Sequence, residues 1–314
     1  MYRLDGVNIV SKIYMLVKHK RGLLMEGDSR RRFIFKHEIA NELISIEGSD
    51  VLAPLERHID YVLRGLSNSL KVNGYNRVYK YIIRTKSNLT LDRESGPLHL
   101  VYDVGLSLHP IYGFPYIPAS SLKGAFRHTA LRYASYLDMR SGVKDVFSKL
   151  VKWVLGLDGS GISHIYFSDA YLHSKGKLFT PDILNPHYKD DVENELSVKP
   201  VPIPHIVIPK NVDFKFIMGL SNRRFSTGDD GWVLKGVESG VGAQEFTKKV
   251  SQALEGEPAI AKYLDLADND KIVFNLDQFS RDVVEIMVEY GIGAKTSLGY
   301  SRFEILAENN LEVD

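Results

Sequence analysis

Two stretches of this sequence carry residue types suited to holding an anionic chain. Residues 112–132 (YGFPYIPASSLKGAFRHTALR) read as a proline-stiffened extended segment that turns into a helix at Ser120 or Ser121, with Lys123 and Arg127 one turn apart near its start. The free N–H groups of such a helix end, aided by its dipole, suit phosphate oxygens. A plain cap with two solvated cations uses the same residues. Gly124 costs helix propensity relative to alanine, which hints at close approach to the backbone. Residues 291–303 (GIGAKTSLGYSRF) read as a glycine-rich loop running into a final strand. A helix C-cap and tight turn explain Gly291 and Gly293, but not Lys295, Thr296 and Ser297 beside them. The candidate contacts to a nucleic-acid backbone are therefore Ser120, Ser121, Lys123, Gly124, Arg127, Gly291, Gly293, Lys295, Thr296 and Ser297.

Other chemistries fit less well. GIGAKTS looks like the end of a nucleotide-binding P-loop, but Ala294 precedes Lys295, and the expected strand before and helix after are replaced by a helix and a strand. Histidines 99, 109, 128, 164, 173, 187 and 205 are scattered without metal-ligand spacing, although one of them could act in acid–base RNA cleavage. Asp92, with Glu94 nearby, is the candidate for a metal-dependent cut. No metal and no cofactor is expected. The absence of cysteine removes disulfides, thiolate metal sites and a thiol nucleophile. No apolar run is long enough to span a bilayer, and the start lacks a signal-peptide core, so a cytoplasmic protein without a membrane partner is expected. The net charge of +1 hides an uneven spread. Residues 1–37 and 77–132 are basic, while acid gathers at 182–195 and after Glu304. Such patches suit anion binding on one face and protein contacts on others, and equally an ordinary solvated surface.

The elements that must position these residues follow from periodicity. Residues 34–70 are mainly helical, with Pro54 opening a second helix. Strands are expected at 78–85, 163–172, 212–220 and 300–306, with a further extended run at 98–108. Helices are expected at 121–137, 146–155, 243–254 and 277–290, the last capped by Asp277 and burying Val283, Ile286, Met287 and Tyr290. Residues 181–211 are proline-rich and loop-like, and residues 221–242 are glycine-rich and read as mobile. The core order of strand, helix, strand, strand, helix, strand is α+β and ferredoxin-like, as in RNA-recognition-motif domains: a four-stranded antiparallel sheet with helices on one face. Its other face would be an open nucleic-acid platform. This gives an N-terminal, mainly helical extension over 1–74, then a domain over 75–314 with insertions at about 181–211 and 221–242.

At these residues the chain resembles the RAMP superfamily of CRISPR-associated proteins. IPASSLKGAFR at 117–127 is similar to that family's strand-to-helix motif, and GIGAKTSLGYSRF to its C-terminal glycine loop. Ala119 stands where the family motif usually has glycine. DVGLSLHPIYGFPYIP at 103–118 and DILNPHYKDD at 182–191 narrow the resemblance to the sixth-subunit group of the type III-B Cmr effector complex. The resemblance implies a RAMP fold and a non-catalytic subunit in antiviral defence that holds the 3′ part of the CRISPR RNA. It implies as partners CRISPR RNA, target RNA, the backbone RAMP subunits, the first Cmr subunit and the small helical subunit. It also implies a hairpin thumb, for which 181–211 and then 221–242 are the candidates. The alternative is a RAMP endoribonuclease that processes CRISPR RNA or cuts target RNA.

Overall fold

The computed structural model describes residues 8–20, 29–91, 98, 101–102, 106–157, 163–184, 203–221, 225–228, 231–234, 241–267 and 271–311. Four helices come first: α1 (Ile9–His19), α2 (Ser29–Ile44), α3 (Gly48–Leu52) and α4 (Glu56–Val72). Then follow β1 (Tyr75–Thr85), α5 (Ala119–Ser141), α6 (Phe147–Val154), β2 (Ile165–Phe167), β3 (Tyr171–Leu172), β4 (Thr180–Leu184), β5 (Ile203–Val207) and β6 (Asp213–Ser221). The chain continues through β7 (Phe225–Gly228), β8 (Gly231–Leu234), α7 (Val241–Gly256), β9 (Leu264–Ala267), β10 (Lys271–Phe274), α8 (Leu276–Tyr290) and β11 (Phe303–Asn310).

The central sheet runs β11-β1-β6-β2, all antiparallel, with β3 also pairing with β6. With α5 between β1 and β2, and α8 between β6 and β11, this is the ferredoxin-like order expected from the sequence. One face packs on α5 and α8. Tyr81 stacks on Phe216 with ring centroids 5.3 Å apart, and Phe126 of α5 reaches Phe167 at 5.3 Å. The hydroxyl of Tyr79 donates to Asp277 of α8 at 2.6 Å. Asp277 is thus committed to the sheet, and the cap of α8 is Asn275, whose side chain accepts from the Gln278 amide.

The opposite face is not an open platform. Side chains alternate along a strand, so Lys215, Ile217 and Gly219 point away from Phe214, Phe216 and Met218. Helix α4 lies on the Lys215 side, burying Ile59, Leu63 and Leu70. Lys215 is 1% exposed and its ammonium donates to Asp60 of α4 at 2.6 Å. A Cβ on Gly219 would come within 3.3 Å of the Leu70 methyl, a measure of how closely α4 approaches. An apolar stripe on α4 requires some partner, but nothing in the stripe names the sheet as that partner.

Three further expectations change. In the described part of 98–108 there is no strand: Leu98 O accepts from the Val101 and Tyr102 amides in a turn, and the apolar residues are buried as loop. The 163–172 run breaks at Ser168–Ala170 into β2 and β3, because Ser168 turns its hydroxyl onto the Ile217 amide. Residues 221–242 contribute strands β7 and β8 to a second sheet, β7-β8-β10-β9, and β4 pairs with β5 within 181–211. No helix among the described residues is long and apolar enough to cross a membrane.

The Lys215–Asp60 pair gives a stability prediction. Burial raises the Asp60 pKa, but the hydrogen bond and charge of Lys215 outweigh it, so the carboxyl titrates below its ordinary value. A depressed carboxylate stabilises the fold above its unfolded pKa of about 4 and loses that contribution as pH falls through the lower folded value. Asp60→Ala strands a buried ammonium and is expected to cost about 2 kcal/mol, below the fully buried range because Asp60 is partly solvated. Adding Lys215→Met should recover most of that loss, as read by denaturant unfolding at neutral pH.

Candidate nucleic-acid interface

The two sequence motifs meet across one groove. A cleft of about 1080 Å³, with a second of about 470 Å³ sharing several of its residues, separates α5 from the loop between α8 and β11. One wall is a stripe of α5 at helical spacing: Ser121, Gly124, Ala125, His128, Thr129 and Arg132. The other comprises Tyr290, Gly291, Gly293, Thr296, Gly299 and Arg302. Lys86 and Ser87, just past β1, join the lining, and they are stitched to the second wall. The Lys86 amide donates to Arg302 O at 2.8 Å, and the Arg302 amide donates to the Ser87 hydroxyl at 3.1 Å.

The loop is held in an open shape from below. The Ala294 amide donates to Thr90 O at 3.0 Å, and the buried Ser301 hydroxyl donates to Ala294 O at 3.1 Å. Gly293 has φ +130°, and a Cβ there would sit 2.8 Å from Thr90 O, so only glycine fits. Lys295 adopts a left-handed conformation at φ 58° before a single 3-10 turn over Thr296–Leu298. The amides of Gly293, Lys295, Thr296 and Ser297 donate to no backbone carbonyl among the described residues.

Of the residues singled out from the sequence, Ser121, Gly124, Gly291, Gly293 and Thr296 line the two clefts. Lys295 and Ser297 sit in the same loop beside Thr296. Ser120, Lys123 and Arg127 occupy a neighbouring stripe of α5, about a third of a turn round the helix. Neither serine caps that helix. It starts at Ala119 after Pro118 without a capping side chain of its own, and the Ala119 amide donates to Asp169 at 2.7 Å. The amides of Ser121 and Leu122 already bond to Pro118 O. The helix end is therefore largely satisfied by the protein, and the groove face of α5 lies one turn further on.

The charges in the groove were only partly legible. Lys86, Arg132 and Arg302 line it and are exposed, and none forms an ion pair among the described residues. Several cations elsewhere are committed to the fold. Arg84 makes a two-pronged bond to Asp213 at 2.7 and 2.9 Å, and Arg140 meets Glu257 at 2.7 Å. Glu289 is the carboxylate in the lining. On the flanking stripe, partial burial lowers the Lys123 pKa. Arg132 and His128 carry a readable signal, since they continue the Gly124 stripe at four-residue steps. Lys86 carries none, because its place depends on the pairing of β1 with β11. Asp92, Glu94, His99 and His187 lie outside the described residues. Among the described residues no three His, Asp or Glu side chains are grouped to hold a metal.

A family model, RAMP superfamily, matches residues 101–304, about two thirds of the chain and both walls of the groove. The chain belongs to the RAMP superfamily. Among curated relatives, the CRISPR system CMR subunit Cmr6 of Saccharolobus solfataricus is 29% identical over 193 residues. That alignment spans 60% of this chain and 60% of the relative. Among solved structures, a chain of the cryo-EM structure of the type III-B Cmr-beta bound to cognate target RNA is 21% identical. It superimposes with a TM-score of 0.62 over 98% of this chain and 93% of that chain, so the two share a fold.

Two glycines of the groove should respond oppositely to alanine. A Cβ on Gly124 meets nothing within 4 Å, so Gly124→Ala should stabilise the helix by about 0.5–1 kcal/mol. Gly293→Ala should destabilise by roughly 1–3 kcal/mol, because its backbone and the Thr90 carbonyl forbid a side chain. Thermal unfolding of the two variants checks both signs.

Proposed function

We propose that this protein is an RNA-holding, non-catalytic structural subunit of a type III-B Cmr effector complex, acting in antiviral defence. The observation that carries this reading is the groove, in which unpaired cations, free loop amides and an open glycine face on α5 converge along one path. Those groups suit phosphates rather than base edges, so the protein holds RNA by its backbone with little regard for sequence. Lys86, Arg132 and Arg302 supply the central charge. Gly291, Gly293, Lys295, Thr296 and Ser297 supply the loop contacts, and Ser120, Ser121, Lys123, Gly124 and Arg127 supply those from α5. In this role the RNA is the 3′ part of a CRISPR RNA, with target RNA paired to it. The β4–β5 pair serves as the thumb that parts the two strands. The remaining surfaces dock the backbone RAMP subunits, the first Cmr subunit and the small helical subunit. The similarity to Cmr6 of Saccharolobus solfataricus supports that placement.

A ribonuclease reading has one observation in its favour: His128 lines both clefts. Among the described residues no partner set for acid–base cleavage surrounds it, and the cations around it fit holding better than cutting.

Binding of guide RNA measured against salt concentration tests the proposal. The wild type should weaken steeply with salt. Replacing Lys86, Arg132 and Arg302 with alanine should flatten the log–log slope by about 0.7 for each single-strand phosphate left without its cation, alike for unrelated RNA sequences. An unchanged slope in the triple variant rejects the groove as the RNA path. RNA cut by the pure protein, and left intact by His128→Ala, would replace holding with cleavage.

A further inference from the structure

The same groove carries features that a phosphate track alone does not need. Tyr136 of α5 and Tyr290 at the end of α8 both line it, and they are 48% and 65% exposed. Helical spacing predicts Tyr290 to face inward, yet the structure leaves it at the groove. Tyr136 lies nearly parallel to Tyr133, with ring centroids 6.2 Å apart and 15° between planes. Tyr133 is itself anchored, because its hydroxyl shares a 2.8 Å hydrogen bond with Tyr263, which in turn donates to Asp282. An exposed ring is therefore backed by an immobilised one, beside Arg132 and Arg302.

The geometry points to a base-stacking site: the groove holds single-stranded RNA, with an unpaired base seated on Tyr136 or Tyr290 while its phosphates meet the flanking arginines. This inference rests on the groove being the RNA path. Aromatic faces beside cations are the arrangement that grips unpaired nucleotides without reading sequence, since every base presents a π face. A duplex buries those faces in its own stack and offers the tyrosines nothing. The strand in the groove is therefore one that has left, or never entered, the guide–target helix.

Binding of a short single-stranded RNA of about 10 nucleotides, of the same RNA annealed to its complement, and of a version with abasic residues tests this. Tyr136→Ala or Tyr290→Ala should weaken the intact single strand roughly tenfold. The corresponding Tyr→Phe variants should bind like the wild type, and the salt slope should not move. The Tyr→Ala loss should vanish for the abasic and annealed RNAs. Since both rings are about half exposed or more, the Tyr→Ala variants should unfold at the wild-type temperature. Two results overturn the inference alone: salt-sensitive wild-type binding that both Tyr→Ala variants keep, or an equal loss on the annealed RNA. A wild type that binds none of the three RNAs overturns the RNA path as well.

Discussion

The pairing of β1 on both edges is the constraint from which the rest follows. Because β1 is antiparallel to β11, with Thr85 opposite Phe303, the end of β1 and the start of β11 occupy the same border of the sheet. The chain leaves that border toward α5 and re-enters it from α8. The glycine loop is the piece of chain that closes the second journey. Two motifs far apart in sequence thus become two walls of one groove, and the Lys86–Arg302 backbone bond marks the seam between them. A register slip of one residue would turn Tyr79, Tyr81 and Ile83 out of the core, so the groove is as strongly specified as the core itself.

Burial decides which surface remains for a ligand. Both faces of the sheet are covered, by α5 and α8 on one side and α4 on the other, and the ion pair of Lys215 with Asp60 fixes the second cover. Charges used to build the fold are neutralised in place, as at Arg84, Arg140 and Lys262. Lys86, Arg132 and Arg302, which line the groove, have no ion-pair partner among the described residues. An unpaired cation on a surface costs the fold little while hydrated and gains when a phosphate arrives, whereas a paired one must first break its bond.

Much of this was legible in the sequence for physical reasons. The apolar stripe of Leu122, Phe126, Ala130 and Leu137 is buried as its spacing predicts, and the order of strands and helices admits one economical topology. Glycines at positions needing positive φ, such as Gly293, announce themselves by residue type. Partners distant in sequence do not. Asp169 takes the Ala119 amide, and no local pattern near Ser120 says that a carboxylate will come from a strand break further along. Periodicity likewise shows that α4 has an apolar face, but not that this face closes the sheet. The strands of 221–242 escaped because a glycine-rich polar stretch reads as loop when its pairing partner, β10, lies well beyond it.

In the proposed role, RNA runs between α5 and the glycine loop. Photo-crosslinking answers it most directly: the protein, in its complex, is loaded with guide RNA carrying thiouridines at successive positions, and the attached peptides are identified by mass spectrometry. Crosslinks from one stretch of RNA to both the 121–136 and 290–302 peptides are expected. Crosslinks confined to the α4 side of the sheet or to β4–β5, with neither groove wall labelled, would contradict it.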